Sequence, residues 1–248
     1  MESKTNFTKT IISLPLKSFR EQLLWSLGVH KIKMVETLIK SRTEQLLEPL
    51  LEVSFPIIEG AKISSLHGYS LYSAIKTKMP WIGECRFTSI SSIAGILDGE
   101  GLIETQDFSR LQIRTPLSKA SSFYGLAGKS LSVGKGKIDL QIPTIAPLQP
   151  KSTLKARVVI IHLKPRQKRP SPERFLAVAE RQLMEHGIQG RISLLSRRGA
   201  LDNKVIIVKG SRIPGYGVEV SNLSPEDSIK LMTYGLGGKT KMGAGYFN

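Results

Sequence analysis

The clearest indication of the fold lies in residues 154–187, which read LKARVVIIHLKPRQKRPSPERFLAVAERQLMEHG. The first ten residues are rich in β-branched and other apolar side chains, which predicts a strand. Ser171, Pro172 and Glu173 form a helix start, with a capping serine, proline at the first helical position and an acid in the first turn. Apolar residues at helical spacing continue to Gly187, a residue type that often ends helices. A strand followed by a helix is therefore predicted here.

The rest of the second half continues the same pattern. Strands are predicted near residues 191–195, 205–209 and 216–220, and a second Ser-Pro-Glu start at Ser224 opens a helix that ends at Gly235. A last strand is predicted over 243–247. The order β-α-β-β-α-β indicates a ferredoxin-like unit. We expect the first half to be a second, looser copy, so the predicted fold class is α+β, with two tandem ferredoxin-like (RRM-like) domains.

The first half is less regular. The segment LEVSFPII (51–58) predicts a strand, and residues 66–79 predict a helix that Pro80 ends. The remaining predicted elements are strands over 86–93 and 102–114, a helix over 116–126, and strands near Leu131 and over 138–145. The proline-rich stretch PTIAPLQPKS (143–152) is the predicted linker. The predicted organisation is an N-terminal helical extension (1–50), a first domain (51–150) and a second domain (151–248).

The charge of the chain indicates a polyanionic partner. Lysine and arginine number 36 and acidic residues 20 among 248 residues, a net charge of +16. Residues 151–200 hold twelve basic and three acidic residues, a net +9. The predicted RNA contacts in this block are Lys164, Arg166, Lys168, Arg169, Arg197 and Arg198.

Several function classes are excluded or disfavoured by the sequence. No apolar run approaches the roughly 20 residues that cross a membrane, and the single cysteine, Cys85, favours a reducing compartment, the cytoplasm. Neither a paired His/Cys spacing nor an HExxH motif is present, so no metal and no cofactor are predicted. The Gly-Lys-Ser and Gly-Lys-Thr fragments at 128 and 238 lack the preceding glycine of a P-loop.

The end of the chain combines glycine with positive charge. Glycine recurs over residues 235–245, and two lysines lie among the glycines. Exposed backbone N–H groups and lysine side chains could cradle a sugar-phosphate backbone; the alternative is a flexible connector. The predicted RNA contacts of this segment are Gly235, Gly237, Gly238, Lys239, Lys241, Gly243 and Gly245.

Two segments carry a resemblance to a known family. The sequence GLGGKTKMGAGYF (235–247) resembles the C-terminal glycine-rich loop of the RAMP superfamily of CRISPR-associated RNA-binding proteins. The sequence FPIIEGAKISSLHGYSLYSAI (55–75) resembles the start of the CRISPR precursor-RNA processing endoribonucleases of the Myxan-type subgroup, where His-Gly-Tyr opens a helix. With LAGKSLSVG (126–134), the resemblance covers residues 51–248.

The resemblance implies an enzyme, of antiviral defence or of a transposon, that cleaves CRISPR repeat RNA without a metal ion. The RNA 2′-hydroxyl would attack the adjacent phosphate, which gives a 2′,3′-cyclic phosphate and a 5′-hydroxyl. The protein would then stay on the crRNA hairpin as a subunit of a Cascade-like surveillance complex, with no membrane partner. The alternative is a crRNA-binding subunit with the same fold that does not cut.

Cleavage of this kind needs a base, an acid and positive charge near the phosphate. His67 is the predicted catalytic residue, because it opens a helix after a strand and matches the family segment. The alternative is a structural residue at the helix start. Tyr69, Tyr72 and Lys76 on the same helix are its predicted catalytic partners, although Tyr72 could equally belong to the core.

Overall fold

The structure, a computed structural model, describes residues 48–161, 170–197 and 199–248. The predicted N-terminal extension up to residue 47 and the basic residues Lys164, Arg166, Lys168, Arg169 and Arg198 lie outside the described residues. The elements of the first half are β1 Leu50–Pro56, β2 Lys62–Ser64, α1 Gly68–Lys78, β3 Ser89–Ile90, β4 Ile96–Leu97, β5 Leu102–Glu104, β6 Arg110–Pro116, α2 Leu117–Ala120, β7 Ser130–Val133, β8 Gly136–Asp139 and β9 Thr144–Pro147. Two 3₁₀ segments, Pro80–Gly83 and Ser121–Leu126, complete it.

The main sheet of the first half has the strand order β3-β6-β1-β9, with every neighbouring pair antiparallel. This is the order of a ferredoxin-like unit, in which the first and third long strands form the centre. Val53 of β1 lies opposite Ile113 of β6 and Ile145 of β9. Helix α1 buries Leu71 and Ile75 against this sheet. Burial of these apolar side chains stabilises the half.

Three predictions for the first half are wrong in detail. The stretch 143–152 is not only a linker, because β9 lies within it and pairs with β1 at the sheet edge, where proline is tolerated. The strand over 102–114 is interrupted between β5 and β6. The helix over 116–126 becomes 3₁₀ after Ala120, which places Phe123 and Leu126 three residues apart on the buried side.

The second half has its own sheet and helices. Its elements are β10 Leu154–Val159, α3 Pro172–Glu185, β11 Arg191–Leu194, β12 Ser196–Arg197, β13 Ala200–Leu201, β14 Asn203–Val208, β15 Ser211–Ser221 and α4 Pro225–Tyr234, followed by a 3₁₀ turn, Thr240–Met242. The strand order is β10-β15-β11, and β14 pairs with the far end of β15. The central apolar side chains, such as Phe175 and Val218, are fully buried.

The fourth strand position of this sheet is taken by the end of the chain. Phe247 bridges Ala156 in antiparallel fashion, and Lys155 and Asn248 exchange two backbone hydrogen bonds of 3.0 Å. The predicted strand over 243–247 is thus too long. Gly243 and Gly245 have φ of +77° and +64°, which an extended strand does not allow. The predicted fold class, α+β with two ferredoxin-like units, is confirmed.

Strand β15 is longer than predicted because it forms a hairpin with β14. Lys209 and Gly210 connect the two strands with φ of +49° and +78°. Positive φ at both central residues is the geometry of a two-residue hairpin turn whose twist matches the strands. The hairpin therefore extends β15 to eleven residues, from Ser211 to Ser221.

A buried polar cluster joins the two halves. The Arg114 guanidinium donates to Glu52 at 3.2 Å and lies 4.0 Å from the centre of the Tyr246 ring. The Tyr246 hydroxyl donates to the same Glu52 carboxylate at 2.8 Å. Arg114 is only 2% exposed, so its charge is balanced almost wholly by these contacts.

Candidate active site

The glycine-rich tail (residues 235–247) packs against the start of α1. A Cβ built on Gly68 would lie 2.1 Å from the carbonyl oxygen of Met242, so no other residue type fits there. Gly243 is equally close to Ser92, since its Cβ would lie 2.4 Å from the Ser92 hydroxyl. The His-Gly pair of the sequence motif is therefore a docking point for the tail.

Most glycines of the tail are needed for close packing. A Cβ on Gly237 would lie 2.2 Å from the Ile160 carbonyl, and one on Gly245 would lie 2.3 Å from the Leu236 carbonyl. Gly235, Gly243 and Gly245 are buried, whereas Gly238 has open space around its Cα. The predicted RNA contact is thus accessible mainly at Gly237, Gly238 and Lys239.

His67 lies beneath this docking point and is 2% exposed. Its Nδ1 lies 2.8 Å from the Ser64 carbonyl, and its Nε2 accepts a hydrogen bond of 2.9 Å from the backbone N–H of Ile93. A ring that donates at Nδ1 and accepts at Nε2 is the neutral tautomer. Both nitrogens are therefore occupied, and the imidazole connects the turn before α1 to the segment after β3.

Burial also determines the charge of His67. Loss of solvation lowers the pKa of His67 to about 4; the hydrogen bond to Ser64 raises it and the nearby positive charge of Arg157 lowers it. The imidazole is accordingly uncharged at neutral pH. The lone pair at Nε2 accepts the Ile93 N–H and becomes available to a substrate only if that hydrogen bond opens.

A second set of residues meets at the far end of α1. The Lys241 ammonium donates to the Gly83 carbonyl at 2.8 Å, across 158 positions of sequence. A Cβ built on Gly83 would lie 3.4 Å from the Lys76 Nζ and 3.6 Å from the Tyr72 hydroxyl. We call Tyr72, Lys76 and Lys241 the α1–tail cluster.

The α1–tail cluster concentrates positive charge at a partly exposed position. Burial lowers the pKa of Lys241; the nearby Cys85 raises it, and the ammonium of Lys76 lowers it. Two ammonium groups beside a phenol can stabilise a pentacovalent phosphate and transfer a proton. Of the four predicted catalytic residues, the structure brings Tyr72 and Lys76 into this cluster. Tyr69 is half-buried in the first turn of α1, and His67 lies beneath that turn.

Sequence reasoning missed two contacts near the site. The sequence predicts only an RNA contact for Lys241, because its proximity to Lys76 depends on how the tail folds back. Arg157 of β10 donates to the Ser92 hydroxyl at 3.1 Å and so connects the second half to the loop that carries Ile93. Its position in an apolar strand gave no signal for this contact. Arg197 is exposed on the short strand β12.

The fold of two ferredoxin-like units closed by a tail is shared with several solved structures. A solved structure described as a RAMP protein binding different RNA substrates has a TM-score of 0.53 and 17% identity, and covers 81% of this chain and 98% of its own. A CRISPR associated protein Cas6 has a TM-score of 0.56 and 16% identity with the same coverage. A Cas6-related protein from Pyrococcus furiosus has a TM-score of 0.55, 20% identity and that coverage too.

The family model described as Cas6 Crispr matches residues 51–248, so the chain belongs to the Cas6 family. The CRISPR-associated endonuclease Cas6 of Myxococcus xanthus (strain DK1622) is 24% identical over 197 residues, which is 79% of this chain and 80% of that protein. The family predicted from the sequence is thereby confirmed, and the predicted enzyme class agrees with this relative. Among the described residues, no helix is long and apolar enough to cross a membrane.

Proposed function

We propose that this chain is a metal-independent endoribonuclease that cleaves CRISPR repeat RNA. The 2′-oxygen forms a bond to the adjacent phosphorus, the bond from phosphorus to the 5′-oxygen breaks, and the 2′ proton passes to a base while the leaving oxygen receives a proton. The products are a 2′,3′-cyclic phosphate and a 5′-hydroxyl. The protein then remains on the repeat hairpin as a subunit of a Cascade-like complex, in keeping with its net charge of +16.

One observation carries the proposal: the tail brings Lys241 to the Gly83 carbonyl, beside Lys76 and Tyr72. In the proposed reaction, the two ammonium groups stabilise the charge that develops on the phosphoryl oxygens. Tyr72, which is half-buried beside Lys76, donates a proton to the leaving oxygen. The cluster thus supplies the positive charge that a metal ion provides in other nucleases.

The role of His67 in this proposal follows from its two hydrogen bonds. As a positioning residue, the neutral imidazole holds the turn at Ser64 and the segment at Ile93 so that α1 and the tail meet in the correct register. Its predicted role as the general base stays a prediction, and it requires release of the Ile93 N–H. Because the pKa of His67 is lowered to about 4, the base form is already present at neutral pH.

The experiment compares two lysines of the same loop. Lys241→Ala should lower the single-turnover cleavage rate of cognate repeat RNA in EDTA by about 100-fold, with little change in RNA affinity. Lys239→Ala is the matched control; it should leave the rate within about twofold and weaken binding modestly. A single 2′-deoxy nucleotide at the cut should abolish cleavage in the wild-type protein. Equal rates for the two variants, or cleavage of the 2′-deoxy RNA, would contradict the proposal.

A second candidate function, a crRNA-binding subunit that does not cut, is favoured by the buried position of His67. With both ring nitrogens occupied, the residue predicted to be catalytic can have a purely structural role. Tight, salt-sensitive binding of repeat RNA with no product after prolonged incubation would establish this alternative.

A further inference from the structure

A shallow groove runs between α1 and the hairpin of β7 and β8. Its volume is about 490 Å³, which is large enough for a nucleotide. We call it the hydroxyl groove, because hydroxyl side chains from both walls line it: Tyr69, Ser70, Ser73 and Thr77 on α1, and Ser130 and Ser132 on β7. Carboxylates are absent from this lining among the described residues.

Some hydroxyls of the groove form hydrogen bonds within the protein, and others do not. Ser70 donates to the carbonyl of His67 just before α1, Thr77 donates to the carbonyl of Ser73, and Ser130 bonds to Asp139. The hydroxyls of Ser73 and Ser132 form no hydrogen bond with another described residue. One lies on each wall of the groove, so both can bind a ligand that donates and accepts hydrogen bonds.

One lysine lies in the groove, and two others are close in sequence to its second wall. Lys78 belongs to its lining, and Lys129 and Lys135 lie on the segment that forms the other wall. None of these three lysines forms an ion pair with a described residue, whereas Lys137 is paired with Asp139 at 3.7 Å. Unpaired lysines around a wall of hydroxyls favour a ligand that carries both phosphate and sugar hydroxyl groups.

The groove and the α1–tail cluster lie on two sides of one helical ridge. Tyr69 and Ser73 line the groove, and Lys76 is three residues further along the helix, where side chains are neighbours about 5–6 Å apart. The groove and the cluster are therefore adjacent along α1, as a nucleotide and the phosphate next to it would be. On the basis of the proposed function, we infer that the hydroxyl groove binds an unpaired ribonucleotide next to the scissile phosphate. Tyr69 stacks on the base, and Ser73 and Ser132 bind the ribose 2′-hydroxyl.

The inference is tested with RNA that the protein cannot cut, made by one 2′-deoxy substitution at the cleavage site. The affinity of this RNA is measured for the wild-type protein and for the Ser73→Ala/Ser132→Ala variant. Both proteins are then tested against a series of RNAs, each with one additional 2′-deoxy nucleotide at a different flanking position. The double variant should bind about 3–10-fold more weakly. One flanking 2′-deoxy nucleotide should cause the same loss in the wild-type protein and no further loss in the variant. Ser122→Ala, an exposed serine outside the groove, is the matched control.

Stacking is measured separately with Tyr69→Phe and Tyr69→Ala. Phenylalanine should retain affinity, and alanine should lose about 5–100-fold. Two results would overturn the inference while the wild-type protein still cleaves. One is that the double variant binds the uncleavable RNA as tightly as the wild-type protein. The other is that the losses from the double variant and from the flanking 2′-deoxy nucleotide are strictly additive. Failure of the proposed function is a different result, namely no cleavage of all-ribose RNA by the wild-type protein.

Discussion

Acidification should destabilise the protein through His67, and the size of the effect follows from its burial. The imidazole has an ordinary pKa of 6.5 in the unfolded chain and a pKa of about 4 in the folded protein. Between these values the unfolded state binds more protons, so the free energy of unfolding falls as pH decreases from above 6.5 and levels off below about 4. From pH 7 to pH 5 this single group should cost about 2 kcal/mol, of a total of about 3 kcal/mol.

The assay is urea denaturation followed by far-UV circular dichroism at pH 7, 6 and 5, for the wild type and for His67→Gln. Glutamine cannot titrate and can still accept a hydrogen bond from the Ile93 N–H, so the difference between the two proteins isolates the imidazole. That difference should shrink by about 2 kcal/mol on acidification. His186→Gln is the control, because His186 is exposed and stacks on Tyr234; it should follow the wild type.

Two results would refute this reasoning. A difference that does not change between pH 7 and pH 5 would mean that His67 is solvated in the folded protein. A difference that grows on acidification would mean that the imidazolium is the bound form. The pH dependence of the cleavage rate is an independent test. If His67 is the base, the cleavage rate should stay level as the pH falls to about 5 and decline near the lowered pKa of His67, about 4.

Two further predictions concern packing and the buried ion pair. Gly68→Ala should displace the tail, because the new methyl group would lie 2.1 Å from the Met242 carbonyl. We expect the free energy of unfolding to fall by about 1–3 kcal/mol and trypsin to cleave faster at the tail lysines. Gly238→Ala, in open space, is the control and should match the wild type in both measurements. Arg114→Met should leave the Glu52 carboxylate without its cation and lower the free energy of unfolding, measured by urea denaturation, by about 3–5 kcal/mol. Adding Glu52→Gln should restore part of this stability. No recovery would show that the unpaired Glu52 charge is not the cause of the loss.

Signals confined to a few neighbouring residues predicted the second half well. The Ser171 hydroxyl accepts from the Arg174 N–H at 3.3 Å, and Gly187 and Gly235 have φ of +62° and +63°, as capping and helix-ending residues should. Ser224 likewise accepts from the Asp227 N–H at 3.1 Å. Each of these structures depends on residues within about four positions, so the sequence contains the whole interaction.

Contacts between distant residues were not predictable in the same way. His67 was recognisable as a special residue, but its partner Ile93 is 26 positions away and donates a backbone group that any residue type provides. The approach of Lys241 to Gly83 depends on the complete path of the tail. The edge strand β9 lies partly within the predicted linker, because its pairing with β1, rather than its own composition, makes it a strand.

The contacts of the last tail residues determine how the two halves unfold. Tyr246 bonds to Glu52 of the first sheet, while Phe247 is fully buried in the second core and Ala244 packs beside Val158 and Ile160. The consecutive residues Tyr246 and Phe247 thus contact different halves, so unfolding of either core removes contacts that hold the tail against the other. The two ferredoxin-like units should consequently lose structure in one cooperative transition, as a single thermodynamic unit built from two folds.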